Sequence, residues 1–93
     1  MHMEQLSTRD AATHLARAVS DVVGAGPGQI GPSTSTRLVD VDSLELAEII
    51  FAFEGHAEVS LDDRALSTFM SLWSNGATLE TIAAGVSSDS GGR

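Results

Sequence analysis

Ser43 stands directly behind Asp42 at the point where a polar loop gives way to an apolar-periodic segment, in the run Asp42-Ser43-Leu44-Glu45-Leu46. A serine hydroxyl can do chemistry as an activated nucleophile or as the acceptor of a group that another enzyme transfers. Activation needs a general base within hydrogen-bond reach, itself oriented by a third group. The histidines are His2, His14 and His56, and none has a motif relation to Ser43. No Gly-x-Ser-x-Gly elbow surrounds the serine, so a small hydrolase is not expected. The same three histidines lack metal-ligand spacing. With no cysteine there is neither a disulfide framework nor thiolate chemistry. Gly24, Gly26 and Gly28 suggest a phosphate loop, but no strand-like segment precedes them and no Lys-Ser/Thr pair follows. Flexible connection is the simpler role. For Ser43 two readings remain. It is an ordinary first-turn residue behind a capping aspartate, or it is a substrate, with the chemistry done to it by another protein.

The elements that must hold this serine are helices. The first is expected over Thr8–Val23, with Ser7 as N-cap and Asp10 three residues on in the manner of a capping box. Leu15, Ala18, Val19 and Val22 make its buried stripe, and Gly24 ends it. The next fourteen residues, "GAGPGQIGPSTSTR", are too polar and too broken for a helix. Ile30 is the large apolar residue expected to pin this long loop to the core. The second helix is expected over Ser43–Glu54, with Asp42 as N-cap, Glu45 completing a capping box and Gly55 as its stop. Ser60 is the expected cap of a third helix, with Asp62 and Asp63 in its first turn and Leu66, Phe69, Met70 and Trp73 on one face as core. Asn75-Gly76 closes it. Thr78 caps a last helix whose stripe is Leu79, Ile82, Ala83 and Val86. No segment alternates like a strand, and no internal repeat is present.

The second helix carries apolar residues on two sides. At about 100° per residue, Leu46, Ile49, Ile50 and Phe53 fall in one narrow arc, and Leu44 and Phe51 fall nearly opposite, with Glu48 beside them and Ala47 on the flank. An exposed apolar pair rimmed by acids suits docking to a partner with an apolar notch and a basic rim. The alternative is that the long loop folds over Leu44 while Phe51 packs on a neighbouring helix.

Composition narrows the partners. Ninety-three residues allow one domain with a modest core, and no apolar run approaches the ~20 residues of a membrane span. No basic start followed by an apolar stretch and a cleavage site is present, so a cytoplasmic location is expected. The net charge is −8, all five basic residues are arginine, and eight of the thirteen acids lie between Asp40 and Asp63 with no Lys or Arg between Arg37 and Arg64. Such a face repels nucleic acid. It attracts basic protein surfaces, or it serves solubility alone.

Asp42, Ser43 and Leu44, followed by Glu48 five residues after the serine and by the paired aliphatics Ile49 and Ile50, resemble the modification motif of acyl carrier proteins. The resemblance runs from about Ser7 to Val86. It takes in a helix, a long loop, the Asp-Ser-Leu helix, a minor third helix and the Thr-started "TLETIAAGV". It implies an all-α fold, a small four-helix bundle with a long first loop and a minor third helix over residues 1–86, followed by a disordered tail over 87–93. It also implies that Ser43 receives 4'-phosphopantetheine from coenzyme A through a separate Mg-dependent phosphopantetheinyl transferase. The reactive sulfur then arrives on the cofactor and holds acyl groups as thioesters. The chain itself would catalyse nothing. It would present cargo to an acyltransferase, ketosynthase or other acyl-processing enzyme reading the second helix through Asp42, Leu44, Glu45, Ala47, Glu48 and Phe51. A monomer is the expected state, without nucleic-acid or membrane partners. A phosphodiester at a helix start meets free N–H groups and the positive end of the dipole, while Asp42 and Glu45 oppose it and keep it in solvent.

The pattern has departures. Many members carry glycine two residues before the aspartate, where this chain has Asp40. The stretch from Glu54 to Leu61 is short and lacks the common aromatic, and the third helix, with Phe69, Met70, Leu72 and Trp73, is longer and greasier than usual. These differences point away from primary fatty acid biosynthesis and towards a discrete carrier for polyketide or related natural-product assembly. An aminoacyl or peptidyl carrier is a second reading, although those often show Gly-Gly-His/Asp-Ser around the serine. A helical adaptor without a prosthetic group, docking through Leu44 and Phe51, is a third.

Overall fold

The computed structural model describes residues 8–91, with side chains from 9 to 87. Four helices follow in order: α1 (Thr8–Val23), α2 (Ser43–Ala57), α3 (Asp63–Ser74) and α4 (Leu79–Gly91). A single 3-10 turn, Thr36–Leu38, interrupts the first loop. The fold is the expected all-α bundle, with α3 the shortest helix rather than two short pieces. Ser7, the expected cap of α1, lies outside the described residues, as does His2. Among the described residues no helix is long and apolar enough to cross a membrane.

Helix α1 packs on α2 and on α4, and α3 packs on α4. The stripes read from periodicity meet in one core. Leu15, Ala18, Val19, Ile49, Ile50, Phe53, Phe69, Leu79, Ile82, Ala83 and Val86 are buried, and Ile30, Val22 and Leu46 pack against them half-buried. Gly85 lets α3 come close, since a side-chain carbon there would press on Leu72 and Thr68.

Four expectations change. Gly55 does not stop α2. The helix runs on to Ala57 and is capped by Glu58 in the left-handed conformation (φ 57°), with Glu58 and Val59 N–H both donating to the Glu54 carbonyl. A glycine permits a helix end but does not impose one, and the extra turn buries Ala57. The cap of α3 is Asp62, whose carboxylate accepts from Ala65 N–H at 2.9 Å, not Ser60. Leu61 is buried, and its N–H donates to Glu54 Oε2 at 2.8 Å, which holds that residue outside the helix and delays its start. Met70 is 47% exposed and is not core, because α3 buries Ala65 and Phe69 towards the bundle and leaves the next position turned outward. Trp73 is half-buried and stacks on Phe69 at 5.9 Å. Finally, α4 continues past Val86 to Gly91, as no proline or capping glycine intervenes, so the first five residues of the expected tail are helical. Gly92 and Arg93 lie outside the described residues.

The long loop is more than a flexible connection. The carbonyls of Pro32 and Thr34 accept from the N–H groups of Glu80 (2.7 Å) and Leu79 (3.0 Å), which satisfies the first orphan donors of α4. Thr36, 4% exposed, donates its N–H to the Ala77 carbonyl at 3.0 Å and its hydroxyl to the Trp73 carbonyl at 2.8 Å. Ser35 Oγ donates to the Gly76 carbonyl at 2.9 Å. The loop before α2 is thereby clasped to the turn between α3 and α4. Gly76 sits in this clasp with φ +80°, and a side-chain carbon there would overlap Arg37. Gly76→Ala is therefore expected to destabilise the domain by more than about 1 kcal/mol. A lowered urea midpoint with unchanged slope is the check, and an unchanged midpoint would refute it.

Candidate functional site

The start of α2 is built by its cap. Asp42 Oδ1 accepts from Glu45 N–H at 2.8 Å, and Glu45 Oε1 accepts from Asp42 N–H at 3.0 Å, which closes the capping box expected from the spacing. Such a cap stabilises a helix by about 1 kcal/mol. The Leu46 N–H donates to the Asp42 carbonyl at 2.9 Å. Ser43 and Leu44 occupy the first two helical positions, whose N–H groups have no intrahelical acceptor. Ser43 is exposed. Its hydroxyl thus sits at the positive end of a helix on a backbone that the box holds rigid.

No base reaches it. His56 is thirteen residues further along α2, roughly 20 Å at 1.5 Å per residue. Its Nε2 pairs with Asp21 Oδ2 at 3.0 Å, tying the ends of α1 and α2 together. His14 lies half-buried within α1. Among the described residues no cluster of three or more His, Cys, Asp or Glu could hold a metal ion.

The outward side of α2 is an open stripe. Leu44 is 68% and Phe51 78% exposed, with Ala47 and Glu48 exposed between them. Their spacing of 3, 4 and 7 residues places all four on one face. Neither the loop nor a neighbouring helix covers Leu44 or Phe51, so the covered alternative does not hold.

The structure divides the acids that the sequence presents as one block. Asp42 and Asp62 cap helices, Glu45 completes the box, and Glu54 holds Leu61 N–H. Asp40 and Glu48 are exposed and bond no group among the described residues. Asp40 keeps ordinary backbone angles, since Glu58 alone among described non-glycine residues has positive φ. The chain therefore makes no left-handed turn at the position where many members carry glycine.

Leu38 escaped the sequence reading, although it is the most exposed large apolar residue among the described residues, at 80%. A signal was present. In Leu38-Val39-Asp40-Val41-Asp42 the valines turn inward (Val39 buried, Val41 half-buried) and the other three turn outward, the period of an extended segment. Helical periodicity alone could not find it.

Residues 13–74, two thirds of the chain, match the family model described as a phosphopantetheine attachment site. The match opens within α1, spans the loop and α2, and closes at the last residue of α3. No curated protein and no solved structure matches the chain.

Proposed function

The chain belongs to the phosphopantetheine attachment-site family, whose members hold 4'-phosphopantetheine covalently, and on that footing we propose that Ser43 is the attachment point of an acyl carrier. The carrying observation is the placement of Ser43: an exposed hydroxyl in the first turn of a helix, on a backbone locked by a capping box. Attachment joins Ser43 Oγ to the phosphorus that bears the pantetheine arm as the pyrophosphate P–O bond of coenzyme A breaks. Adenosine 3',5'-bisphosphate leaves, and the serine proton passes to a base on the transferase.

The residues present fit a phosphodiester. The unpaired N–H groups of Ser43 and Leu44 and the dipole favour the anion. The Glu45 N–H is already taken by Asp42, and the carboxylates of Asp42 and Glu45 repel a phosphate, so the group is held at the surface. The arm, when attached, supplies a terminal thiol that holds an acyl group as a thioester. The part of the chain is to fix the point of attachment and to offer the surface that partners read. We assign that reading to Leu44, Ala47, Glu48 and Phe51 with Asp42 and Glu45 at the helix mouth, the partners being the transferase and acyl-processing enzymes such as an acyltransferase or ketosynthase. Asp40, the short connection over residues 58–62 and the apolar α3 support a discrete carrier of polyketide or related assembly, and we take it to work as a monomer in the cytoplasm. The net charge of −8 disfavours stacking of two copies through their acidic faces.

Incubation with coenzyme A and a phosphopantetheinyl transferase of broad carrier specificity tests the reading. Intact mass should rise by one arm, mapped to the peptide that contains Ser43. No gain, or a gain mapped elsewhere, would reject it. The mass of the protein isolated from its native host would then report the cargo.

Charge reversal at Glu48 tests recognition more cleanly than at Glu45, whose side chain also closes the capping box. Glu48→Lys is expected to slow loading several-fold through the on-rate, most strongly at low salt, with little change in the melting temperature. Equal rates at low salt would show that Glu48 does not steer partners.

A further inference from the structure

Leu38 lies outside every residue assigned so far, and its setting is unusual for an exposed leucine. It ends the 3-10 turn on a backbone whose successive N–H groups are all engaged. Thr36 N–H donates to the Ala77 carbonyl, Arg37 N–H to Ser35 Oγ, Leu38 N–H to the Ser35 carbonyl and Val39 N–H to the Thr36 carbonyl, at 3.0 to 3.1 Å. Buried Thr36 anchors the turn to the α3–α4 connection. The leucine is therefore presented on a fixed platform, so little backbone entropy is lost when a partner covers it. Its outward neighbours along the extended approach to α2 are Asp40 and Asp42. Arg37, its neighbour in sequence, lies along Gly76, where its Nε, Cγ and Cδ occupy the space of a side chain. It is thereby packed against the clasp.

Reach decides what can cover this leucine. Ser43 is five positions beyond Leu38, at most about 18 Å of extended chain. A protein interface covers about 800 Å² on each partner, a disc of roughly 16 Å radius. A footprint of this size laid over Ser43 can therefore reach Leu38 at or near its edge.

Resting on the assignment of Ser43 as the attachment point, we propose that Leu38 is a second apolar anchor for the phosphopantetheinyl transferase, which receives it in an apolar notch with a basic rim facing Asp40 and Asp42. Leu44 and Phe51 engage from the helix side and Leu38 from the loop side, so the transferase grips Ser43 from both. Charge complementarity with this acidic approach identifies the rim.

The experiment measures loading kinetics with coenzyme A and the broad-specificity transferase on wild type, Leu38→Ser, Leu38→Met and Leu38→Arg. Leu38→Ser is expected to raise KM for the carrier about tenfold with kcat nearly unchanged, the size of a good interface anchor. Leu38→Met should restore the KM. Leu38→Arg should load more poorly than Leu38→Ser, with the difference shrinking at high salt. Thermal melts of all three should match wild type, because the side chain is exposed. An unchanged KM in Leu38→Ser, with wild type gaining its arm normally, would overturn the Leu38 assignment and leave the Ser43 assignment standing. A wild type that gains no mass would overturn both.

Discussion

Ser43→Ala is expected to abolish loading completely while leaving the fold untouched. After incubation with coenzyme A and transferase, the variant should keep the mass of the unmodified chain when wild type has gained one arm. The loss is complete because no neighbouring hydroxyl shares this placement. Ser35 is committed to the Gly76 carbonyl, and Ser60 lies in the connection ahead of α3 without a helix mouth of its own. The fold survives because the capping chemistry belongs to Asp42 and Glu45, not to Ser43. The hydroxyl is exposed, and alanine at a helical position is favourable by a few tenths of a kcal/mol over serine. The variant should therefore melt within about 2 °C of wild type, given the few degrees that each kcal/mol moves a domain of this size. A loaded Ser43→Ala would disprove the assignment. A variant that melts far lower would show that the serine is a structural residue.

The second large effect separates two phenylalanines of α2 that stand two residues apart. Phe53 is 1% exposed, packs in the core and lies 6.5 Å from the ring of Phe69, which in turn stacks on Trp73. Phe53→Ala removes a large side chain from a close-packed interior and leaves a cavity, expected to cost about 3–5 kcal/mol. For a chain of this length that lowers the melting temperature by about 12–40 °C, at 4–8 °C per kcal/mol, and it takes up much of the 5–15 kcal/mol that typically holds a domain together. Phe51, 78% exposed, has little packing to lose. Phe51→Ala should move stability by no more than about 0.5 kcal/mol. Its effect should appear instead as a raised KM with acyl-processing partners. Urea unfolding followed by the single tryptophan gives both stabilities. Equal losses from the two substitutions would contradict the division of the helix into a core face and an outward face.

That division was half legible beforehand. Periodicity places Leu46, Ile49, Ile50 and Phe53 together, and it places Leu44 and Phe51 opposite. It cannot say whether something else folds over the second pair, because the covering segment would come from elsewhere in the chain. The absence of a cover is a tertiary fact. Local signals fared the same way. The Asp42–Glu45 box and the Gly24 stop involve neighbours in sequence and form as expected. The stop at Gly55 and the cap at Ser60 failed because burial of Ala57 and Leu61, with Glu54 reaching the Leu61 N–H, outweighed local preference. Met70 followed its helix outward once α3 turned Ala65 and Phe69 to the bundle.

The helices, the capped start of α2, the serine directly behind the cap and the net charge are properties of short stretches, and the order of residues decides them through hydrogen bonds and periodicity that reach only a few positions. The clasp between the first loop and the α3–α4 turn is different in kind, since Thr36 and Trp73 lie far apart in sequence and meet only when the bundle closes. That closure sets Leu38 on a rigid turn, draws Arg37 to Gly76, and separates acids that hold the backbone from Asp40 and Glu48, which face outward without a partner among the described residues. Composition counts those charges alike. Their different surroundings come from long-range contacts that no local pattern encodes.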